Sequence, residues 1–452
     1  MEPIQSFQDL NLNTPLYNAL EDLGFERPTP IQSEAFNVVA SGKDIVGIAQ
    51  TGTGKTYAYM LPILRHLKFS KQENPRILIL VPTRELVVQV VDEIEKLAKY
   101  INVRVLGVYG GTNINTQKQA VAQGQDIIVA TPGRLFDLAV SRVLQLKSIQ
   151  KLVIDEVDVM LDLGFRHQLL NIFDVLPKRR QNIMFSATMT EDVDELISGF
   201  FVKPERITIA VSGTPLHNIR QQRYKVTNFY TKVNLLVYLL KESEAFNKVL
   251  IFVAFKKMAD KLFEELNDYF SEEISVIHSN KTQNYRLRSI DDFRAGENRI
   301  LIATDVMARG LDIDNISHVI NFDTPKYPEN YMHRIGRTGR AEQQGNALTF
   351  STEKEQAFIS EIESYMDEDI ELLEFPAEVE ISKELIAEER PQIKERNNPT
   401  RIKSDEVGEA YHEKKDKNKK ENQGGSYRTK IAAKYKKPKT RGDKNYNKKR
   451  KR

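Results

Sequence analysis

The sequence predicts an α/β protein of two tandem parallel-sheet domains, each wrapped in helices, followed by a basic tail. Three observations carry that reading. Short β-branched runs alternate with longer amphipathic segments. The alternation halts in a turn-rich stretch at 211–218 (VSGTPLHN) and then restarts, and strand-like runs end by about residue 378. In the first half the runs are DIVGIA (44–49), RILILVP (76–82), VRVLGVYG (103–110), DIIVATP (126–132), LVIDE (152–156), NIMFSAT (182–188) and ITIAV (207–211). The second half offers KVLIFVA (248–254), ISVIHS (274–279), RILIAT (299–304), HVINFD (318–323) and NALTF (346–350). Their near-continuous apolarity suits strands buried on both faces. The resulting division is a first domain over 1–210, a linker over 211–218, a second domain over 219–378 and a low-complexity tail over 379–452.

Composition agrees with this division. With 452 residues, 40% hydrophobic and 29% charged, the chain has material for two or three buried cores. No apolar run approaches the roughly 18 residues that span a bilayer, and MEPIQSFQDL has neither a basic nor an apolar leader region. A cytoplasmic protein without membrane partners is therefore expected. The absence of cysteine removes disulfides, thiol nucleophiles and cysteine-ligated zinc, and fits a reducing compartment. The net charge of +3 conceals an asymmetry: residues 401–452 carry 20 Lys and Arg against 7 Asp and Glu. Such a tail either engages a polyanion by counterion release or serves as a solvated appendage.

The first chemical signal is AQTGTGKT (49–56), set between a strand run and a helical pattern. Gly52 and Gly54 allow a tight turn and close backbone approach, the following amides face phosphate oxygens, Lys55 supplies a point charge and Thr56 can ligate Mg²⁺. Ala49 stands where such loops usually begin with glycine. The second signal is LVIDEVD (152–158), a buried strand delivering carboxylates to its C-terminal end, where open α/β sheets bind ligands. Asp155 is the natural Mg²⁺ partner, and Glu156 is placed to orient or deprotonate the water that attacks a γ-phosphate. The third is HRIGRTGR (333–340), in which Arg334, Arg337 and Arg340 are spaced by small or apolar residues. It reads as an arginine finger or as a basic loop contacting nucleic-acid phosphate.

Together these residues resemble the DEAD-box ATP-dependent RNA helicases of superfamily 2, from about Phe7 to about residue 375. GFERPTPIQ (24–32) resembles the adenine-reading Q motif, PTREL (82–86), GG (110–111) and TPGR (131–134) the RNA-contacting motifs, and SAT (186–188) the coupling motif. LIFV (250–253), QNYR (283–286), ATDVMARGLD (303–312) and HRIGRTGR match the remaining ones in order. The resemblance implies two RecA-like domains, ATP and Mg²⁺ as cofactors, and RNA as a partner bound with little sequence preference. It assigns nucleotide binding to Phe7, Phe25, Gln32, Thr51, Gly52, Thr53, Gly54, Lys55, Thr56 and Asp312. RNA contacts fall to Thr83, Arg84, Gly111, Thr131, Arg134, Thr304 and Arg309. Catalysis falls to Lys55, Asp155, Glu156, Arg337 and Arg340, metal binding to Thr56 and Asp155, and coupling to Asp158, Ser186, Thr188 and His333. Motif II departs from the family name, since Val157 makes it DEVD. The compact core with a short basic extension resembles the bacterial members, the RhlE-like group among them. Two other functions stay open on the sequence: an ATP-gated RNA clamp or scaffold, and a superfamily 2 DNA helicase.

Overall fold

The computed structural model describes residues 6–49, 52–209, 218–243, 245–305, 313, 315–339 and 344–390. Its first sheet comprises β1 (Ile45–Ile48), β2 (Ile77–Leu80), β3 (Val105–Val108), β4 (Ile127–Ala130), β5 (Lys151–Ile154), β6 (Gln181–Ser186) and β7 (Glu205–Thr208). The strand order is β3-β4-β2-β5-β6-β1-β7 and every pairing is parallel. Side chains alternate across the sheet as a pleat requires. Ile77 and Ile79 enter one core with Phe185 and Tyr59, whereas Leu78 and Leu80 enter another with Met184 and Val157.

A second sheet holds β8 (Ile219–Lys225), β9 (Val249–Phe252), β10 (Ile274–Ile277), β11 (Ile300–Ala303), β12 (His318–Asn321), β13 (Gly345–Ser351) and β14 (Glu371–Leu373). Its order is β10-β11-β9-β12-β13-β8-β14, the first order repeated strand for strand. All of its pairings are parallel too. Parallel strands point their C-terminal ends to one edge, so each lobe gathers the loops that follow its strands along a single rim.

Two strands escape the hydrophobic pattern. β8 reads IRQQRYK and lies between β13 and β14, with only Ile219 and Tyr224 buried among its apolar residues. Its polar side chains find partners instead: Tyr331 Oη donates to Gln221 Oε1 and Gln222 Nε2 donates to Glu371 Oε2. β14 is a three-residue edge strand, too short to show a period. Packing also continues past the last strand as far as Arg390. Val379 and Ile386 are buried in the second lobe, Asn228 Nδ2 donates to the Ser382 carbonyl at 2.6 Å, and Phe229 N donates to Glu389 Oε1 at 2.7 Å. Among the described residues no helix is long and apolar enough to cross a membrane. Most of the linker and the charge-rich stretch from 391 onward lie outside the described residues.

Candidate active site

The loop after β1 enters the helix Lys55–His66 through Gly54, whose φ of 86° favours glycine. A Cβ there would also strike the Gln32 amide. Gln32 is buried at the start of the helix Pro30–Ser41 and braces this loop: its Nε2 donates to Gly54 O at 3.2 Å, and its Oε1 accepts from Thr29 N at 3.0 Å. Thr29 Oγ1 donates to Thr53 O at 2.8 Å. The primary amide keeps one N–H and one lone pair for a ligand. Phe7 is buried, whereas Phe25 is 47% exposed and meets Tyr57 edge to face at 5.2 Å. Both phenylalanines line a cleft of about 410 Å³ with Tyr17 and Gly24.

Lys55 is buried, yet among the described residues its Nζ has no hydrogen-bond partner. The same holds for Asp155 Oδ1 and Glu156 Oε2, on the loop after β5. Buried polar atoms are almost always paired, so three such orphans at one rim mark a place built for a charged ligand. Burial pushes the Asp155 and Glu156 carboxyls up, against the pull of Lys55 on both and of Arg337 on Glu156. Glu156 itself holds a left-handed φ of 54°, strain in a non-glycine residue that the surrounding packing must offset. A divalent cation fits this chemistry, because Asp155 offers a free carboxylate oxygen and Thr56, next to Lys55, a hydroxyl. Val157 is fully buried in the core with Ile154 and Met160, so the additional methyl groups of DEVD are accommodated there.

Asp158 is fully engaged. Its Oδ2 accepts from Ala187 N at 3.2 Å and from Thr188 N and Oγ1 at 3.0 Å each, while Oδ1 accepts from Val159 N. Ser186 Oγ donates to Thr188 O at 2.7 Å. Across from this knot stands His333, with Nε2 3.7 Å from Asp158 Oδ2. Burial works against the Asp158 charge, yet His333, Lys55 and the Thr188 hydroxyl hold its carboxyl below the usual range. Arg337 is buried four residues on, in the turn just past the helix Pro328–Ile335, its Nε donating to His333 O at 3.3 Å. Arg334 departs from the finger reading. It is buried, paired through two nitrogens with Asp305 and bonded to Asn321 Oδ1 and Asp323 O, so it serves the fold of the second lobe.

Thr83, Arg84, Gly111, Thr131 and Arg134 follow β2, β3 and β4, which are neighbours, and so share one stretch of rim. Thr83 Oγ1 caps the helix Arg84–Leu97 by accepting from Leu86 N. Gly111 has a φ of 84°, and a Cβ there would collide with the Arg84 guanidinium. Arg134 Nη1 donates to Gln117 Oε1 at 2.8 Å. Thr304 is half-buried at the end of β11. Nothing in the local pattern signals that Glu85 joins the lobes: it accepts from Gln283 Nε2 at 3.3 Å and pairs with Arg286 Nη2 at 3.2 Å. A separation of 198 positions between Glu85 and Gln283 hides that pairing from any periodicity. Thr51, Arg309, Asp312 and Arg340 lie outside the described residues.

Comparison with known proteins identifies the family. The family described as DEAD/DEAH box helicase matches residues 29–196, and the helicase conserved C-terminal domain matches residues 231–342. The DEAD-box ATP-dependent RNA helicase CshA of Bacillus cereus (strain ATCC 10987 / NRS 248) is 38% identical over 398 residues, covering 87% of this chain and 75% of that protein. S. cerevisiae Dbp5 bound to RNA and ADP BeF3 superposes with a TM-score of 0.73 at 30% identity, over 81% of this chain and 95% of that one. Mss116p bound to ssRNA and AMP-PNP gives 0.74 at 27% identity, over 83% and 81%. The conclusion that follows is direct: this chain belongs to the DEAD-box family of ATP-dependent RNA helicases.

Proposed function

We propose that the chain hydrolyses ATP at the rim of its first sheet, in a site completed by its second lobe, and uses that cycle to separate short RNA duplexes or remodel ribonucleoproteins. The observation that carries the reading is the trio of buried, unpartnered polar atoms on Lys55, Asp155 and Glu156, with Arg337 near enough to act on the Glu156 charge. In this reading Lys55 and the amides after Gly52 and Gly54 bind phosphate oxygens. Thr53 and Thr56 line the same loop, Gln32 offers its remaining donor and acceptor to adenine, and Phe25 packs beside the base. Thr56 and Asp155 would hold Mg²⁺. When bound, the cation supplies positive charge to the phosphate oxygens. Glu156 orients the attacking water, and Arg337 offsets charge developing on the transferred phosphoryl group.

Closure and catalytic competence are one event in this scheme, because Arg337 and His333 come from one lobe and Glu156 and Asp158 from the other. The Asp158–Thr188 knot facing His333 carries the state of the nucleotide to the loop after β6. RNA lies along Thr83, Arg84, Gly111, Thr131, Arg134 and Thr304, contacted through phosphates and 2′-hydroxyls with little sequence readout. The test is ATPase activity with and without RNA. Wild type should be RNA-stimulated, and Glu156→Gln should lose turnover by roughly 10² to 10⁴ while still binding ATP and RNA. Undiminished turnover in Glu156→Gln removes the assignment.

A further inference from the structure

One buried hydroxyl beside the active site has no part in the proposed chemistry. Tyr59 lies on the helix Lys55–His66, three residues after Thr56, so the two side chains share a face. Its ring is fully buried and packs against Phe185 with centroids 5.7 Å apart. Phenylalanine would fill that space equally well. Burying a phenol costs free energy unless its oxygen is hydrogen-bonded, so the hydroxyl calls for an explanation. Its partners are telling: Tyr59 Oη lies 3.2 Å from Asp155 Oδ2, and the Thr56 side chain is its other hydrogen-bond partner. These are the two residues to which the proposed function gives the divalent cation.

We propose that Tyr59 is a positioning residue for the divalent cation, which fixes the Asp155 carboxylate and the Thr56 hydroxyl so that both present lone pairs to the metal. The proton inventory supports this. An ionised carboxylate only accepts, so the single phenolic proton goes to Asp155 Oδ2, and the phenolic oxygen is left to accept from the Thr56 hydroxyl. With its proton engaged there, the Thr56 oxygen keeps its lone pairs for a ligand. With Oδ2 engaged, the carboxylate cannot rotate freely, and the partnerless Oδ1 becomes the oxygen left for the cation. Partners of this kind, one step back from a metal, orient the ligating atoms, and their removal costs about 10- to 100-fold in metal affinity.

The inference rests on the Mg²⁺–ATP reading of the site, and one experiment separates the two. Binding of a fluorescent ADP analogue to the full-length chain is titrated with Mg²⁺ for wild type and Tyr59→Phe, and also measured without the metal. Tyr59→Phe should bind the analogue as wild type does without metal, which also reports an intact fold, but should need about 10-fold or more Mg²⁺ for half of the metal-dependent change. Adding Tyr59→Phe to Asp155→Asn should shift the titration less than it does in wild type, because the group being positioned has already been altered. Superimposable Mg²⁺ titrations of wild type and Tyr59→Phe overturn the inference, as does equal weakening of metal-free and metal-bound binding, which a packing role would give. A wild type whose ADP binding ignores Mg²⁺ overturns the reading of the site itself.

Discussion

The two lobes share one strand order, yet they treat the same topological place in opposite ways. In the first lobe the helix after β1 begins with Lys55, and the loop after β5 carries Asp155. Both are buried, and both leave polar atoms unpartnered among the described residues. In the second lobe the corresponding helix after β8, Phe229–Glu242, carries Lys232, and the loop after β12 carries Asp323. Here Lys232 Nζ meets Asp323 Oδ1 at 3.2 Å and Glu355 Oε2 at 3.4 Å. The N-terminus of that helix is occupied as well, since Phe229 N donates to the Glu389 carboxylate. One rim satisfies itself from within the chain, and the other, in the proposed function, holds its charges for a ligand. Fold alone therefore does not locate the function, and the pattern of met and unmet hydrogen bonds does.

The comparison breaks most visibly at the lysines. Lys55→Ala should lower RNA-stimulated turnover by about 10³ or more, or roughly 4 kcal/mol of transition-state stabilisation. Steady-state ATPase assays at saturating ATP and RNA check this. Lys232→Met should leave the chemistry intact and act on stability. It strands Asp323 and Glu355 without their shared cation, and breaking a buried pair from one side costs about 3 kcal/mol, the lower end of the usual range because Asp323 is partly exposed. Urea unfolding followed by circular dichroism should show that drop. Equal turnover losses in the two variants would erase the distinction between the rims.

Base selectivity sharpens the first-lobe side. Gln32 has one donor and one acceptor left after bracing Gly54 and Thr29. A purine that mismatches both leaves buried groups unmet, so ATP should be preferred to GTP by about 10- to 100-fold in kcat/KM. Equal use of the two nucleotides would leave Gln32 as a brace for the loop and nothing more.

Acid should separate the lobes as well. Burial lowers His318, at the head of β12 and stacked on Phe246 at 4.0 Å, to about 4. The unfolded side chain titrates near 6.5, so between pH 6.5 and 4 the unfolded state binds the extra proton. Stability is then full above pH 6.5, falls as pH drops through this window, and levels off below about pH 4, for a total of roughly 3 kcal/mol. In the first lobe Asp126 behaves differently: burial opposes its charge, but Arg104 and Arg76 hold its carboxyl below the usual range. Its contribution persists until pH falls below the ordinary carboxylate range. Unfolding near pH 5 should therefore begin in the second lobe, and His318→Gln should flatten the pH profile between 6.5 and 4.

What is legible in the sequence follows from the same physics. Asp155 and Glu156 are readable because they sit directly after an apolar strand run, and Lys55 because the glycine loop after another run ends on it, where period and punctuation leave little choice. β8 is not, because its residues are satisfied by side-chain partners contributed from 331 and 371 and need no apolar pattern. Arg334 looks like its neighbour Arg337 in a linear motif, and only the helix Pro328–Ile335 turns it inward onto Asp305. The Glu85–Arg286 bridge depends on how the two lobes meet, which no local window contains. Tyr59 sits in an apolar helical stretch, where a tyrosine reads as core until its hydroxyl is traced to Asp155.

The smallest expected effect on turnover concerns the stretch beyond Arg390. Residues 401–452 carry 20 Lys and Arg against 7 Asp and Glu, while the remainder of the chain is net acidic, so this stretch is the strongest candidate for sequence-independent capture of RNA phosphate. The cut must fall after Arg390, because Val379, Ile386 and Glu389 pack into the second lobe, and a cut at 378 would remove them along with the charge. Deleting 391–452 should leave maximal RNA-stimulated turnover unchanged at saturating RNA, since it removes no residue placed in the site. The RNA concentration giving half-maximal turnover should rise. The salt dependence of RNA affinity should flatten by about 0.7 in log-log slope for every phosphate that this stretch neutralises. Anisotropy titrations of a labelled single-stranded RNA at several salt concentrations measure both quantities. Superimposable curves for the full and shortened chains would confine RNA capture to the rim residues of the two lobes.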